Sequence, residues 1–299
     1  MIKLPAKALK GSYPPIITPF TSGRVDYDAY AGLIERQVRE GSHGVVVNGT
    51  TAEPSTLTIA ERNKLVDVAV STAKGRITVV AASGGQSQAD TIAMTRAAEK
   101  AGADALLIVT PYFIRPPQRG LAQYYLDMGR RTRLPTMIYH IPGRAGVNMT
   151  ADTIAGIADK MPHLVGIKHA ALELALVTEL LAKLGMEFRV FVGLEELSFP
   201  MMAIGAAGLM NAVGNLLPGK VARLADLTLA GKMAAARKLH YELFELNNAV
   251  FFDTNPIPMK YMMKRLGIIA NEEHRLPMVP ATPELAQRLD GVLKRAKLL

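Results

Sequence analysis

Eight short apolar runs, separated by longer stretches of helical periodicity, constrain this chain more than any other feature. The runs are Pro15–Thr18, Gly44–Asn48, Ile77–Ala82, Ala105–Thr110, Thr136–His140, Leu164–Lys168, Arg189–Gly193 and Ala207–Asn211. They are apolar throughout rather than alternating, the pattern of parallel strands covered on both faces. The stretches between them carry helix punctuation. Thr58-Ile59-Ala60-Glu61 is a capping box, in which the Thr hydroxyl accepts from an unpaired N–H and the Glu reaches back. Ser87 and Thr150 are N-cap residues, and Gly41, Gly75, Gly102 and Gly185 stand where a left-handed C-cap is wanted. Eight such units predict an α/β fold, a (β/α)8 TIM barrel. A doubly wound open sheet fits less well. It commonly has a phosphate loop after its first strand, and here the first run leads into Pro19-Phe20-Thr21-Ser22-Gly23 with no glycine fingerprint. Helical patterns follow over about 217–250, 256–266 and 283–297, the last behind Thr282-Pro283, an N-cap with Pro at N1. The expected organisation is a catalytic barrel over 1–225 and a C-terminal helical extension over 226–299.

Composition narrows the class. At 49% apolar and 20% charged residues, disorder is excluded. No apolar run is long enough for a membrane span, and Met1–Ile17 has no apolar core of a secretory signal. The absence of Cys removes disulfides, thiolate metal sites and cysteine nucleophiles, and it suits a cytoplasmic location. The net charge of +9 raises the question of nucleic acid. The charge is dispersed, however, Trp is absent and no nucleic-acid motif occurs, so a solvated basic surface is expected. Neither nucleic acid nor membrane is an expected partner. The six His show no H-x-H or H-E-x-x-H spacing, so no metal is expected either.

A barrel gathers its active site at the C-terminal ends of the strands. Those ends carry Gly49-Thr50-Thr51-Ala52-Glu53, Thr110-Pro111-Tyr112-Phe113, Tyr139-His140, Lys168-His169, Gly193-Leu194-Glu195-Glu196 and Asn211. Lys168 is the sharpest of these. Its stem leaves the apolar run Leu164-Val165-Gly166-Ile167, and partial burial favours a neutral lysine amine. Such an amine attacks a carbonyl to give a Schiff base, whose cationic nitrogen is an electron sink for a neighbouring carbanion. Tyr139 can shuttle protons, with Thr50 or Thr51 positioning its hydroxyl. Arg144, in a Gly/Pro-rich loop, can pair a substrate carboxylate with its planar fork. Gly49-Thr50-Thr51 offers backbone and hydroxyl donors to a carboxylate. His140, Tyr112, Gly193 and Asn211 complete the candidate substrate contacts. Glu53, Glu195 and Glu196 read as helix-start carboxylates stabilised by the dipole rather than catalysts.

The strings Gly49-Thr50-Thr51-Ala52-Glu53, Thr110-Pro111-Tyr112, Tyr139-His140-Ile141-Pro142-Gly143-Arg144-Ala145-Gly146 and Gly166-Ile167-Lys168 occur in order. Together they resemble the dihydrodipicolinate synthase / N-acetylneuraminate lyase family. Asn255-Pro256-Ile257-Pro258 and Arg275-Leu276-Pro277-Met278 resemble that family's C-terminal helical region. The resemblance implies a (β/α)8 lyase that forms a Schiff base with pyruvate or another 2-oxo acid and needs no cofactor. It implies Lys168 as the Schiff-base lysine and Tyr139 as the proton carrier. Thr50 and Thr51 would bind the 2-oxo acid carboxylate, with Arg144 at the entrance. It also implies a homotetramer built from tight dimers. Several positions depart from the synthases. Phe113 stands where they have a second Tyr that completes a hydroxyl relay across the dimer. Ala52, His140 and His169-Ala170 differ as well, and Ile59 and Arg62 stand where lysine-inhibited synthases carry His. These departures point to a relative of altered specificity, catalysing aldol cleavage, condensation or dehydration. The alternatives are the synthase proper, joining pyruvate and aspartate semialdehyde, and a catalytically silent member that binds a 2-oxo acid.

Overall fold

The structure, a computed structural model, describes residues 1–5 and 8–299. Its strands are β1 Gly11–Ser12, β2 Phe20–Thr21, β3 Arg24–Val25, β4 Gly44–Val47, β5 Thr78–Ala82, β6 Ala105–Val109, β7 Thr136–His140, β8 Leu164–His169, β9 Arg189–Val192 and β10 Gly208–Leu209. β1 and β4 to β10 form one parallel sheet in the order β1-β10-β9-β8-β7-β6-β5-β4. A parallel bridge between Pro15 and Val46 joins its two ends and closes the barrel. β2 and β3 make a small antiparallel hairpin outside it.

The first strand differs from expectation. The ladder begins at Gly11–Ser12, not at Pro15, and the stretch after it pairs through one bridge only. Pro14 and Pro15 have no N–H to donate. Contact with β4 therefore passes through Ile16 N–H to Val46 O at 3.0 Å and Val46 N–H to Pro14 O at 3.0 Å. The other strands stand within a few residues of the expected runs.

The helices are α1 Tyr27–Arg39, α2 Ile59–Ala73, α3 Gln88–Ala101, α4 Gln118–Gly129, α5 Pro142–Ala145, α6 Ala151–Lys160, α7 Leu174–Leu184, α8 Ser198–Ala203, α9 Pro218–Leu229, α10 Met233–Ala249, α11 Ile257–Arg265 and α12 Pro283–Arg295. The capping box of α2 is formed by Thr58 and Glu61. Ser87, Thr150 and Thr282 cap α3, α6 and α12 through N–H groups three residues on. α2 ends on Lys74, one residue before Gly75, with the lysine itself left-handed at φ 50°. The pattern over 217–250 is two helices rather than one, parted at Gly231, whose φ is 70°. Residue 225 falls within α9. Between the strands and the surrounding helices lies a continuous apolar layer that also includes Leu246, Met259, Met262 and Leu289 from the C-terminal helices. A second, smaller apolar cluster fills the barrel interior, with Tyr13, Val46, Val80, Leu107, Met137, Tyr139 and Phe191. Among the described residues no helix is long and apolar enough to cross a membrane.

Candidate active site

Side chains alternate across a strand, so every second residue of β7 and β8 faces the barrel interior. Tyr139 and Lys168 are register partners on these neighbouring strands. Both are buried, at 5% and 3% exposure, and Lys168 Nζ stands 4.4 Å from the Tyr139 ring centroid. The Tyr139 hydroxyl lies 3.1 Å from Thr50 Oγ1. Thr50 opens a 3₁₀ turn, Thr50–Ala52, directly after β4 and Gly49. Thr51 is buried on the same turn, and its Oγ1 accepts from Asn255 Nδ2 at 3.0 Å rather than joining Tyr139. Gly193 follows β9. A Cβ there would stand 2.9 Å from Lys168 Cε and 2.7 Å from Ala170 Cβ, so the lysine stem crosses space that only a glycine leaves free.

Two adjoining cavities open on these groups, one of about 300 Å³ and one of about 220 Å³. Both are lined by Thr50, Tyr139, Ile141, Arg144 and Asn255. The smaller holds Thr51, Lys168, Gly193 and Glu195, and the larger Gly49, Tyr112, Glu53 and Arg62. Arg144, on the short helix α5, is exposed at the shared wall. An amine, a phenol, hydroxyls and a guanidinium thus meet in one partly dry space, where imine chemistry with a carboxylate-bearing ketone is feasible.

Two expected contacts are not brought to this space. His140 follows Tyr139 and so faces the opposite side of the strand, toward the helices. It is 1% exposed, its Nδ1 is 3.0 Å from His169 Nδ1, and the two rings stack at 5.2 Å. His140 Nε2 meets Asn148 Oδ1 at 2.6 Å. Burial first, and the neighbouring His169 second, push the His140 pKa down to about 4. His169 is lowered too, chiefly by burial. Asn211 is the other. It caps the turn Ala212–Asn215 through Val213 N–H at 2.8 Å and donates to Ser198 Oγ and Asn247 Oδ1, each at 3.1 Å. That is the work of a folding residue behind the cavity wall.

Strand-end positions do not reveal the part that Asn255 and Phe251 play in the cavity, nor the burial of Glu53 and Glu195. Asn255 and Phe251 enter the cavity walls from the segment between α10 and α11, far from any strand end. Only the Asn255-Pro256-Ile257-Pro258 string hinted at the first. Glu53 is fully buried and bound on both oxygens, to Lys260 Nζ at 2.6 Å and His274 Nδ1 at 3.0 Å. Lys260 Nζ also lies 4.3 Å from the Phe20 ring centroid. Burial lowers the Lys260 pKa and the Glu53 charge opposes that shift. Glu195 is buried beside the cavity that holds Lys168 and is pushed up to about 7 by burial. No spacing rule marks either acid as buried.

The whole arrangement has close counterparts. Residues 8–296 match the Dihydrodipicolinate synthetase family. The chain is 42% identical over 291 residues to a 4-hydroxy-tetrahydrodipicolinate synthase of Thermus thermophilus, covering 97% of each chain. The crystal structure of dihydrodipicolinate synthase from Aquifex aeolicus superposes with a TM-score of 0.94 at 37% identity, over 97% of this chain and 98% of that one. The chloride-inhibited synthase from Acinetobacter baumannii, complexed with pyruvate, gives 0.94 at 32% identity, over 98% and 100%. Sequence, barrel and strand-end groups lead to one conclusion: the chain belongs to the dihydrodipicolinate synthetase family and is a lyase of the Schiff-base, class I aldolase type.

Proposed function

We propose that this lyase is a 4-hydroxy-tetrahydrodipicolinate synthase, which condenses pyruvate with aspartate semialdehyde through an imine on Lys168. This reverses the preference for altered specificity drawn from the sequence. The curated relatives that match most of the chain carry the synthase name. Phe113 weighs less against the reading than its residue type suggested. Its ring is 82% exposed at the rim, at φ 76°, whereas Tyr112 lines the larger cavity with a hydroxyl of its own.

The observation that carries the proposal is the line Lys168–Tyr139–Thr50 along one cavity wall. The Lys168 amine adds to the ketone carbon of pyruvate and water leaves, giving a cationic imine. Tyr139 hands its hydroxyl proton through Thr50 to cavity water and takes one from the methyl carbon, while the imine nitrogen receives the electron pair. The enamine carbon bonds to the aldehyde carbon of the second substrate, and the new alkoxide is protonated from the Tyr139–Thr50 pair. Attack of that substrate's own amine on the imine carbon then breaks the bond to Lys168 and frees the lysine. The N–H groups of the turn after Gly49 hold the pyruvate carboxylate. Arg144 holds the carboxylate of the semialdehyde at the entrance.

We also propose a cytoplasmic homotetramer. Phe113 and Ile114, 82% and 73% exposed beside the cavity, form an apolar rim suited to a second copy of the chain. Borohydride reduction in the presence of pyruvate, followed by intact mass and peptide mapping, tests the imine. One adduct on Lys168 is expected, and none in Lys168→Ala. A chain that traps no pyruvate is not this enzyme. Trapping without turnover of aspartate semialdehyde would leave the family chemistry and remove the named substrate.

A further inference from the structure

Glu195 is a buried acid that the steps above leave unused. It stands in the 3₁₀ turn Glu195–Leu197 after β9, at 3% exposure. Oε1 accepts from Ala212 N–H at 2.8 Å, while Oε2 is buried with no hydrogen-bond partner. Both Glu195 and Lys168 line the smaller cavity. Lys168 forms no direct ion pair with it, yet its charge is near enough to steady the carboxylate. A carboxyl oxygen left without a partner in a dry setting is costly unless a ligand or a proton occupies it.

We propose that Glu195 is the proton reservoir of Lys168: it takes the ammonium proton before the amine attacks and returns it to the hydroxyl that departs. The inference rests on the imine chemistry proposed above. In the first step Lys–NH₃⁺ and Glu–COO⁻ become Lys–NH₂ and Glu–COOH, with cavity water relaying the proton. The amine then forms the C–N bond, and one N–H proton passes to the former carbonyl oxygen, giving a neutral carbinolamine. Glu–COOH next protonates its hydroxyl, the C–O bond breaks and water leaves. Cationic imine and carboxylate remain. The two hydrogens of the released water equal the two lost by the ammonium nitrogen, and the charges at start and finish are the same.

The surroundings support a readily exchanged proton at neutral pH. Burial raises the Glu195 pKa, and the Ala212 N–H and the Lys168 charge oppose that rise. Glu196 on the same turn adds to it. Tyr139 on β7 and Arg144 on α5 share the cavity wall. The neighbouring α8 has no titratable side chain, and the buried titratable side chain of α10 is His240. An acid that titrates near the working pH suits both halves of the exchange.

The test is the rate of borohydride trapping of pyruvate, measured on either side of about pH 7 for the native chain, Glu195→Gln and Glu195→Asp, with circular dichroism melts alongside. Gln keeps an acceptor for the Ala212 N–H and cannot take a proton. The Gln variant is expected to trap about tenfold more slowly or worse and to lose the inflection near neutral pH, while Asp retains it. A Gln profile that superimposes on the native one overturns the reservoir and leaves the imine chemistry standing. Should the Gln variant prove unfolded, the Asp profile decides: a retained inflection supports the reservoir and a lost one overturns it. If the native chain traps no pyruvate, the functional reading itself has failed.

Discussion

Lys168 depends on a missing side chain. Because a Cβ at Gly193 would stand 2.9 Å from its Cε, Gly193→Ala must push the amine away from the Tyr139 ring. A misplacement at a reacting nitrogen lowers kcat by about 10²-fold, and the 2.7 Å approach to Ala170 Cβ lowers the melting temperature as well. Steady-state kinetics checks this, and a kcat within a factor of two would show that the stem simply shifts. Tyr139→Phe keeps the ring beneath Lys168 and removes only the proton carrier, so kcat falls by about 10² to 10⁴ while pyruvate trapping persists. Loss of trapping as well would assign the hydroxyl to imine formation. At this scale the sequence was legible where one rule decides the matter. Lys168 and Tyr139 stand at strand ends, and the period of two gives them the same face. The same rule turns His140 outward. Adjacency in sequence suggested otherwise, because a residue list ignores the pleat.

Between elements, the buried group of Glu53, Lys260 and His274 ties the turn after β4 to α11 and the segment that follows it. Removing one member strands a charge in the interior. Lys260→Met should therefore destabilise by about 3–5 kcal/mol in a denaturant titration. Adding Glu53→Gln should recover most of that loss, and no recovery would mean that the cost lies in packing. The His140–His169 pair bridges β7 and β8 in another way. A free imidazole titrates near 6.5, and the folded His140 does so near 4. The unfolded chain thus binds more protons between these values, so the stabilisation is complete above about pH 6.5 and is lost as pH falls toward about 4. The loss is on the order of 3 kcal/mol for His140. His140→Asn should flatten stability across that window; an unchanged slope would place the titration elsewhere. The histidine pair was legible in sequence, because His140 and His169 end consecutive strands. The Glu53 group was not, because Lys260 and His274 come from the distant C-terminal segment.

The molecule as a whole was the most legible level. Eight apolar runs with helix caps between them leave few architectures open, and the parallel closed sheet follows. What stayed hidden was the first strand, where prolines interrupt the ladder, and the reach of the C-terminal helices into the cavity walls. The apolar rim at Phe113 and Ile114 belongs to this scale too. Phe113→Asp should shift sedimentation velocity toward smaller species, and an unshifted profile would place the interface on another surface. The ion group at Glu53 also bears on how the enzyme is made. Its partner His274 follows 221 residues later, long after the last barrel strand is complete at Leu209. The acid at the barrel mouth is neutralised only by Lys260 and His274, so a barrel of eight closed strands still lacks its counter-charges until the segment beyond the last strand folds over it.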